Sequence, residues 1–182
     1  MSAAPEVHLS SQPEPLVIRD ATARDLPFIE SMLFESLHWE EGLEPPARAQ
    51  LQADPEIARL LADWGRAGDV ALVAERSGSP LGAAWYRFWS NAERGRGFFN
   101  ARVPELSQAV LPAYRGQGVG RALLAALVDR LLASEAPGLS LSVDPRNPAL
   151  QLYERTGFLK VEEVGGAWTM VLDAPLARLV RR

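Results

Sequence analysis

Three glycines at alternate positions, Gly116, Gly118 and Gly120, stand between an apolar run and a leucine-rich helical pattern. Glycine removes the side chain where a ligand must approach the backbone. The helix that follows offers unpaired amides and the positive end of its dipole. Together these features predict an anion site, most naturally for a phosphate or pyrophosphate.

Spacing separates the phosphate-binding motifs that use such a loop. A P-loop requires Lys and then Ser or Thr after its last glycine, whereas Arg121 and Ala122 stand there. A dinucleotide fingerprint requires Gly or Ala at position 121 or 123, and the chain has Arg121 and Leu123. Both alternatives fail. The remaining pattern, Arg-x-x-Gly-x-Gly beginning at Arg115, resembles the coenzyme A signature of the GNAT superfamily of N-acetyltransferases.

A second stretch carries the same resemblance. An alternating strand pattern at residues 139–143 is followed by Asn147-Pro148, Tyr153 and Gly157, which is similar to the later strand and helix of the superfamily. Two motifs at a suitable separation make a chance match unexpected.

The resemblance assigns acetyl-CoA, as co-substrate, to three segments. Backbone groups before the glycine loop would bond the pantetheine arm and polarise the thioester carbonyl. Asn147 would reach the cofactor from the opposite wall, and its role as a helix cap is an equally good interpretation. The implied contacts are the backbone of Gln108, Ala109 and Val110, the amides of Gly116, Gln117, Gly118, Val119, Gly120 and Arg121, the charges of Arg115 and Arg121, and Asn147. No metal is expected.

Direct acetyl transfer uses a base that takes a proton from the amine and an acid that protonates the departing thiolate. Tyr153 stands where the superfamily commonly has the acid; packing alone is the alternative. Glu105, at the start of the strand before the glycine loop, is the candidate base, directly or through a water; the alternative is an exposed strand-end carboxylate. No Gly-x-Ser-x-Gly elbow occurs, which favours direct attack over an acyl-enzyme.

The acceptor amine is expected to meet the first helices and the hairpin that follows them. Four carboxylates within ten residues, with no Lys or Arg among them, would favour a cationic acceptor unless they are simply solvated. Arg87, beside aromatic residues, would instead suit a carboxylate on the acceptor, and the sequence leaves this choice open. The carboxylates are Glu35, Glu40, Glu41 and Glu44, and the aromatic candidates for pocket or core are His38, Trp39, Trp85 and Tyr86.

The function implied by the resemblance is an N-acetyltransferase that acts on an amine, with a small amine favoured over a protein. A catalytically silent domain that binds acyl-CoA as a sensor or partner module is the alternative, since it needs the grip on the cofactor but no acid or base. A plain interaction domain is a weaker third hypothesis. The closing strands around Trp168 and the tail at residues 178–182 allow a homodimer.

The elements that must position these residues follow from the periodicity of the chain. A Pro-rich segment at residues 1–15 predicts a flexible tail, and the resemblance implies a single GNAT domain over residues 16–182. Strands are predicted at residues 16–18, 70–75, 81–89, 98–101, 105–111, 139–143, 158–164 and 167–172. Helices are predicted at residues 22–37, 55–64, 119–136 and 147–156.

The fold class implied is α/β (α+β), a GNAT fold whose mixed, largely antiparallel central sheet of about six to seven strands is flanked by about four helices. The likeness covers residues 16–172, is strongest over 105–158 and is only topological before residue 70. Turn residues 77–80 predict that the second and third strands form a hairpin.

Composition narrows the partners. The net charge of −4, with Lys160 the only lysine, leaves no broad basic surface for nucleic acid. The chain has no cysteine and only two histidines, which excludes disulfides and thiolate metal sites and makes a histidine metal site difficult to build. Apolar stretches are far shorter than a membrane span, and no signal-peptide pattern occurs. A cytoplasmic protein is therefore expected.

Overall fold

A computed structural model describes residues 14–40 and 53–180 of the chain, and within them seven strands and five α-helices. The strands are β1 (Val17–Asp20), β2 (Val70–Arg76), β3 (Ser79–Arg87), β4 (Glu105–Val110), β5 (Gly138–Val143), β6 (Leu159–Val164) and β7 (Ala167–Asp173). The helices are α1 (Leu26–Leu37), α2 (Pro55–Leu61), α3 (Val119–Leu132), α4 (Ala149–Thr156) and α5 (Ala174–Val180).

One mixed sheet organises the molecule, in the order β1-β2-β3-β4-β5-β7-β6. Every neighbouring pair is antiparallel except β4 and β5, which are parallel. These two share a single registered pair, Glu105 with Ser140, supported by the bond from Ser140 N to Pro104 O at 2.9 Å. Beyond that pair the two strands continue without hydrogen-bonding each other, so a gap opens between their carboxyl ends.

Helices cover both faces of the sheet and divide the core in two. On one face α3 buries Leu123, Leu127 and Leu131 completely, together with residues of β2, β3, β5 and β7. On the other face α1 packs Ile29 and Met32 against small residues of β2, β3 and β4. The strands next to the gap are therefore held from both sides by apolar contacts, which fixes the position of the gap.

The hairpin between β2 and β3 is tighter than the sequence predicts. Its turn consists of Ser77 and Gly78, whose φ angles of 51° and 75° are both positive, as a two-residue turn with matching twist requires. Pro80 lies inside β3, opposite Glu75 and next to a register shift. The irregularity accommodates a residue that cannot donate to the ladder.

One predicted strand is wrong, and one helix is missing from the predicted element order. Residues 98–101 form no strand: residues 98 and 99 lie in a loop, and Asn100 makes a single bridge with Val103. The neighbours of β4 in the sheet are β3 and β5, so this segment does not join the sheet beside it. The helix α5 follows the last predicted strand and brings the described helices to five, in keeping with the expectation of about four around the sheet.

The other predicted strands and helices agree with the structure within a few residues, including the alternation of elements after the glycine loop. The second helix stops at Leu61, so Trp64 lies beyond it in a turn. The predicted flexible tail is mostly outside the described residues, as are Glu41 and Glu44. Within the described ranges, no helix has both the length and the apolar character needed to cross a bilayer.

Candidate functional site

The glycine loop adopts the backbone conformation that glycine permits and other residues resist. Gly116 and Gly118 have φ angles of 71° and 83°, and α3 begins at Val119. A Cβ placed on Gly116 would meet no atom within 4 Å, and one on Gly118 only Arg121 Nη2 at 3.9 Å. The space outside the loop is therefore open, next to the first amides of α3, which have no acceptor within the helix. These features fit a phosphate group.

The third glycine has a different role from the first two. Gly120 lies within α3, and a Cβ there would stand 3.6 Å from Cγ2 of Val110. A small residue at this point lets the helix pack closely against the end of β4. The sequence suggests the same role for all three glycines. In the structure, Gly116 and Gly118 shape the loop, whereas Gly120 allows α3 to pack against β4.

Arg115 is held between β4 and α1. Its Nε donates to Val110 O at 3.1 Å, and its Nη2 pairs with Glu35 Oε2 at 2.9 Å. The guanidinium is about a third exposed. Arg121 is exposed on the first turn of α3. Positive charge therefore stands on both sides of the loop, and one of the two charges is already paired.

The strand β4 borders the gap with the residues predicted for the pantetheine arm. Gln108, Ala109 and Val110 pair with β3 on one side, and on the other side no strand continues the ladder. Val110 O accepts the bond from Arg115. Backbone groups directed toward β5 along this stretch thus lack a strand partner, which is the arrangement that an extended ligand would complete.

Tyr153 lies on α4 and is buried, with its ring edge-on to Phe158 at a centroid distance of 5.8 Å. Burial raises the pKa of its phenol to about 12, and a hydrogen bond with the side chain of Gln108 partly offsets that rise. Gln108 Oε1 is buried and has no hydrogen-bond partner among the described residues. Tyr153 therefore keeps its proton at neutral pH beside an amide with unused bonding capacity.

Glu105 is buried, with only 9% of its surface exposed, so the alternative of an exposed strand-end carboxylate is wrong. Its Oε1 accepts the N–H of Gly97 at 2.8 Å, and Oε2 makes no hydrogen bond of normal geometry with a described residue. Burial raises its pKa to about 7, while Gly97, the indole of Trp89 and the charges of Arg96 and Arg59 act in the opposite direction.

A small recess leads to Glu105 on the face of the sheet that carries α1. Its walls are Leu60, Trp85, Arg87, Trp89 and Ser107, and the interior has room for about one water molecule. Gly95 closes one side: a Cβ there would collide with Glu105 Oε2 and stand 2.7 Å from Trp89 Nε1. The loop at residues 95–97 therefore covers the carboxylate.

Arg87 is fully engaged in structural contacts. Only 2% of its side chain is exposed, and it pairs with Asp69 at 2.7 Å while donating to carbonyl groups of the segment after α2, such as Ala62 O at 2.7 Å. The indole of Trp64 lies under its guanidinium at 5.0 Å. The possibility that Arg87 receives a carboxylate of the acceptor therefore finds no support in its contacts.

The two described carboxylates of the acidic segment, Glu35 in α1 and Glu40 just after it, are both paired with arginines. Glu35 pairs with Arg115, and Glu40 with Arg146 at 3.3 Å; both arginines come from distant loops. The ring of Trp39 lies under Arg146. Among the described residues of this segment, the basis for a cationic acceptor is thus removed.

Asn147 is confirmed in its capping role. Its Oδ1 accepts the N–H of Ala149 at 2.9 Å, and its own N–H donates to Asp144 O at 2.9 Å. The helix α4 begins at Ala149, and Gly157 ends it with a φ of 101°.

Two contacts of the site were not anticipated from the sequence. They are the pairing of Gln108 with Tyr153 and the closure of Glu105 by Gly97 and Trp89. The contact of Gln108 with Tyr153 has a signal in the sequence, because alternation along β4 places Gln108 on the opposite face of the sheet from Glu105. Across residues 14–40 and 53–180, no three carboxylates or histidines come close enough to hold a metal ion.

Comparison with known proteins places the chain among acetyltransferases. Residues 33–158 match the model of the acetyltransferase (GNAT) family. No curated protein matches the chain significantly.

Solved structures share the fold. A phosphinothricin acetyltransferase of the GNAT superfamily from Sinorhizobium meliloti, in complex with acetyl-CoA, is 25% identical, with a TM-score of 0.62 over 87% of this chain and 88% of that one. yncA of Salmonella typhimurium, a candidate acetyltransferase with its cofactor acetyl-CoA, is 23% identical, with a TM-score of 0.61 over 87% and 94%. A ribosomal-protein-alanine N-acetyltransferase from Brucella melitensis is 24% identical, with a TM-score of 0.63 over 86% and 99%.

Proposed function

Because the chain belongs to the GNAT acetyltransferase family, an acyltransferase family, we propose that it moves an acetyl group from acetyl-CoA to a small amine by direct attack in a ternary complex. The observation that carries this proposal is the open glycine loop, with two positive φ angles, at the start of α3 and beside the gap between β4 and β5. The acetyl-CoA complexes of the Salmonella and Sinorhizobium proteins, which share the fold, support the same ligand.

The proposed grip uses backbone groups more than side chains. The amides of residues 116–121 hold the pyrophosphate, and Arg115 and Arg121 add charge on either side. Backbone groups of residues 108–110 bond the pantetheine arm along the open edge of β4. Asn147 borders the opposite wall while its Oδ1 caps α4. None of these contacts requires a metal ion.

Acetyl-CoA, when bound, supplies an acetyl group as a thioester, so that a C–N bond replaces the C–S bond while one proton leaves the amine and one reaches the sulfur. Glu105 takes the proton from the amine through a water in the recess, because its carboxylate is covered by the loop at residues 95–97. Its pKa of about 7 leaves a large fraction ionised at neutral pH and suits a general base.

Tyr153 holds its proton on Oη and donates a hydrogen bond into the gap. A phenol with a pKa of about 12 gives up its proton far less readily than a thiol with a pKa near 8.5. We therefore propose that Tyr153 stabilises developing negative charge by hydrogen bonding and passes its proton only as that charge forms. Gln108, bonded to the phenol, orients it.

The covering of Glu105 also favours a second candidate function, a catalytically silent module that binds acyl-CoA. Such a module keeps the glycine loop but does not use the proton on Tyr153 or the charge on Glu105. A cytoplasmic location and a homodimer stay predictions of the sequence, as does a single domain over residues 16–182.

One assay separates the two functions. Release of free coenzyme A is measured across a panel of amines, and acetyl-CoA binding is measured by calorimetry. Tyr153→Phe is expected to lower kcat about 10- to 100-fold without changing the Kd for acetyl-CoA. Tyr86→Phe, the same change at another buried tyrosine, is the control and should leave both quantities unchanged. Binding without amine-dependent release in the wild type would establish the silent module instead.

A further inference from the structure

Several arginine side chains lie around Trp89 and Glu105, two residues that line the recess. Trp89, one wall of the recess, has three guanidinium carbons within 6 Å of its ring centroid: Arg59 at 5.9 Å, Arg66 at 5.7 Å and Arg87 at 5.7 Å. Arg96 lies close enough to Glu105 to lower its pKa, as does Arg59. The approach to the candidate base is therefore positively charged.

Some of these arginines are paired with carboxylates and others are not. Asp69 pairs with Arg87 in the buried interior, and Glu93 faces Arg66 across an exposed 3.9 Å separation. Arg59 donates to a backbone carbonyl, Arg94 O at 2.8 Å, and has no carboxylate within 4 Å among the described residues. Its Nε is buried and has no hydrogen-bond partner there. Arg96 likewise has no ion pair within that part of the chain.

An unpartnered, buried guanidinium N–H carries a desolvation cost that an incoming acceptor atom would remove. Arg59 lies next to the recess, because its guanidinium contacts Trp89 and its neighbour Leu60 in α2 also lines the wall. Its planar donors suit the paired oxygens of a carboxylate or a phosphorus oxyanion.

Resting on the proposed function, we propose that the acceptor is an amino acid-like molecule, whose amine approaches Glu105 and whose acidic group is received by Arg59, with Arg66 and Arg96 adding charge around the opening. The amine end and the acid end then face opposite charges. A wholly cationic amine would bring a like charge toward several guanidinium groups. The ring of Trp89 is already approached by three guanidinium groups, so it offers little cation–π attraction to a further cation.

The test compares matched acceptors that differ only in the acidic group. Free α-amino acids are assayed beside their methyl esters and their decarboxylated amines by coenzyme A release, and their binding is measured by calorimetry with and without coenzyme A. Wild-type protein is expected to use the free acids with a KM at least about tenfold lower. Arg59→Gln should raise the KM for the acids about 10- to 100-fold and change the KM for the esters less than about threefold.

Two further variants test whether the effect depends on the planar guanidinium of Arg59. Arg59→Lys retains the charge without the planar fork and should fall between the wild type and Arg59→Gln. Arg24→Gln removes an exposed arginine on the N-terminal side of α1 and should leave all acceptors unchanged. Thermal unfolding of each variant shows whether it is folded.

The inference is overturned if wild-type protein uses or binds the esters or decarboxylated amines as well as the acids, or if a folded Arg59→Gln loses both series equally. Failure of the proposed function looks different, because acetyl-CoA itself would then give no binding in calorimetry. Binding of the free acids in preference to their esters, measured without transfer, would still support the acidic-group site.

Discussion

Glu105 is the residue whose surroundings differ most from its position in the sequence. A carboxylate at the start of a strand is ordinarily solvated, but here it is buried where β4 pairs in parallel with β5 and accepts the N–H of Gly97. Burial disfavours its charge more than Gly97 and the nearby arginines favour it, so its pKa rises from 4.5 to about 7. The raised pKa of Glu105 has two testable consequences.

The first consequence concerns the rate of transfer. If Glu105 is the base, kcat should rise about tenfold per pH unit below its pKa and level off above about pH 7, where the carboxylate is ionised. Glu105→Gln should lower the plateau and remove that step from the profile. A wild-type rate with the same pH dependence as Glu105→Gln would exclude the base. The measurement is coenzyme A release between pH 5.5 and about 9.

The second consequence concerns stability. Between about pH 4.5 and 7 the folded protein binds the Glu105 proton more tightly than the unfolded chain, so this residue contributes stability at low pH that is lost as pH rises to about 7. Glu105→Gln does not titrate. Its free energy of unfolding relative to wild type should therefore increase across this window by roughly 2–3 kcal/mol. Chemical denaturation at several pH values checks this.

A control for the stability measurement is available on the edge strand. Glu163→Gln removes an exposed carboxylate of β6, and its difference from wild type should stay nearly constant over the same pH range. A pH-dependent difference of similar size in both variants would show that the effect is general and does not come from burial of Glu105.

At the residue scale the sequence predicts identities better than environments. Tyr153, Glu105 and the glycines could be proposed as site residues because the motifs that carry the resemblance are local. The bond between Gln108 and Tyr153 joins residues 45 positions apart, and whether Glu105 is buried depends on where the loop at residues 95–97 packs. Neither fact is contained in a local pattern.

At the scale of elements, the loop before α3 permits a substitution pair that separates charge from backbone strain. Asn and Asp both tolerate a positive φ better than other residues with a side chain, so each should perturb the fold similarly at Gly118. Gly118→Asp adds a negative charge where the pyrophosphate is proposed, and should weaken coenzyme A binding at least about tenfold more than Gly118→Asn. Calorimetry measures both Kd values, and equal values would remove the assignment of this loop.

Element prediction succeeded where local signals were complete. The cap at Asn147 and the stop at Gly157 define α4, and the Gly165-Gly166 turn defines the closing hairpin. The helix α5 has a local signal in the sequence: Asp173 stands before it, and Asp173 Oδ1 accepts the N–H of Leu176 at 2.7 Å. Residues 98–101 are β-prone but do not join the sheet, in which β3 and β5 are the neighbours of β4, and this order is not contained in the local pattern.

At the scale of the whole molecule, two ion pairs connect the end of α1 to the loops that follow β4 and β5. Glu35 pairs with Arg115, and Glu40 pairs with Arg146. Both pairs are exposed to solvent to a considerable degree, so each contributes little to stability. The first pair competes with ligand binding, because Arg115 pairs with Glu35 and also lies beside the proposed phosphate site.

Releasing Arg115 should favour that site. Glu35→Gln is expected to tighten coenzyme A binding about two- to fivefold and to change the free energy of unfolding by less than about 1 kcal/mol. Added salt should reduce the difference from wild type, because the competing pair is partly exposed. Weaker binding by Glu35→Gln would mean that the pair orients Arg115 toward the ligand and does not withhold it.

Because β4 and β5 share a single registered pair, the sheet has two parts, one of strands β1–β4 and one of strands β5–β7, joined at that pair. Each part is internally continuous, and α3 packs against strands of both parts. A linear molecule with amide groups, bound along the open side, would supply the hydrogen bonds that a continuing strand would make. Binding along that side should raise the free energy of unfolding by RT ln(1 + [L]/Kd), where [L] is the concentration of the free ligand.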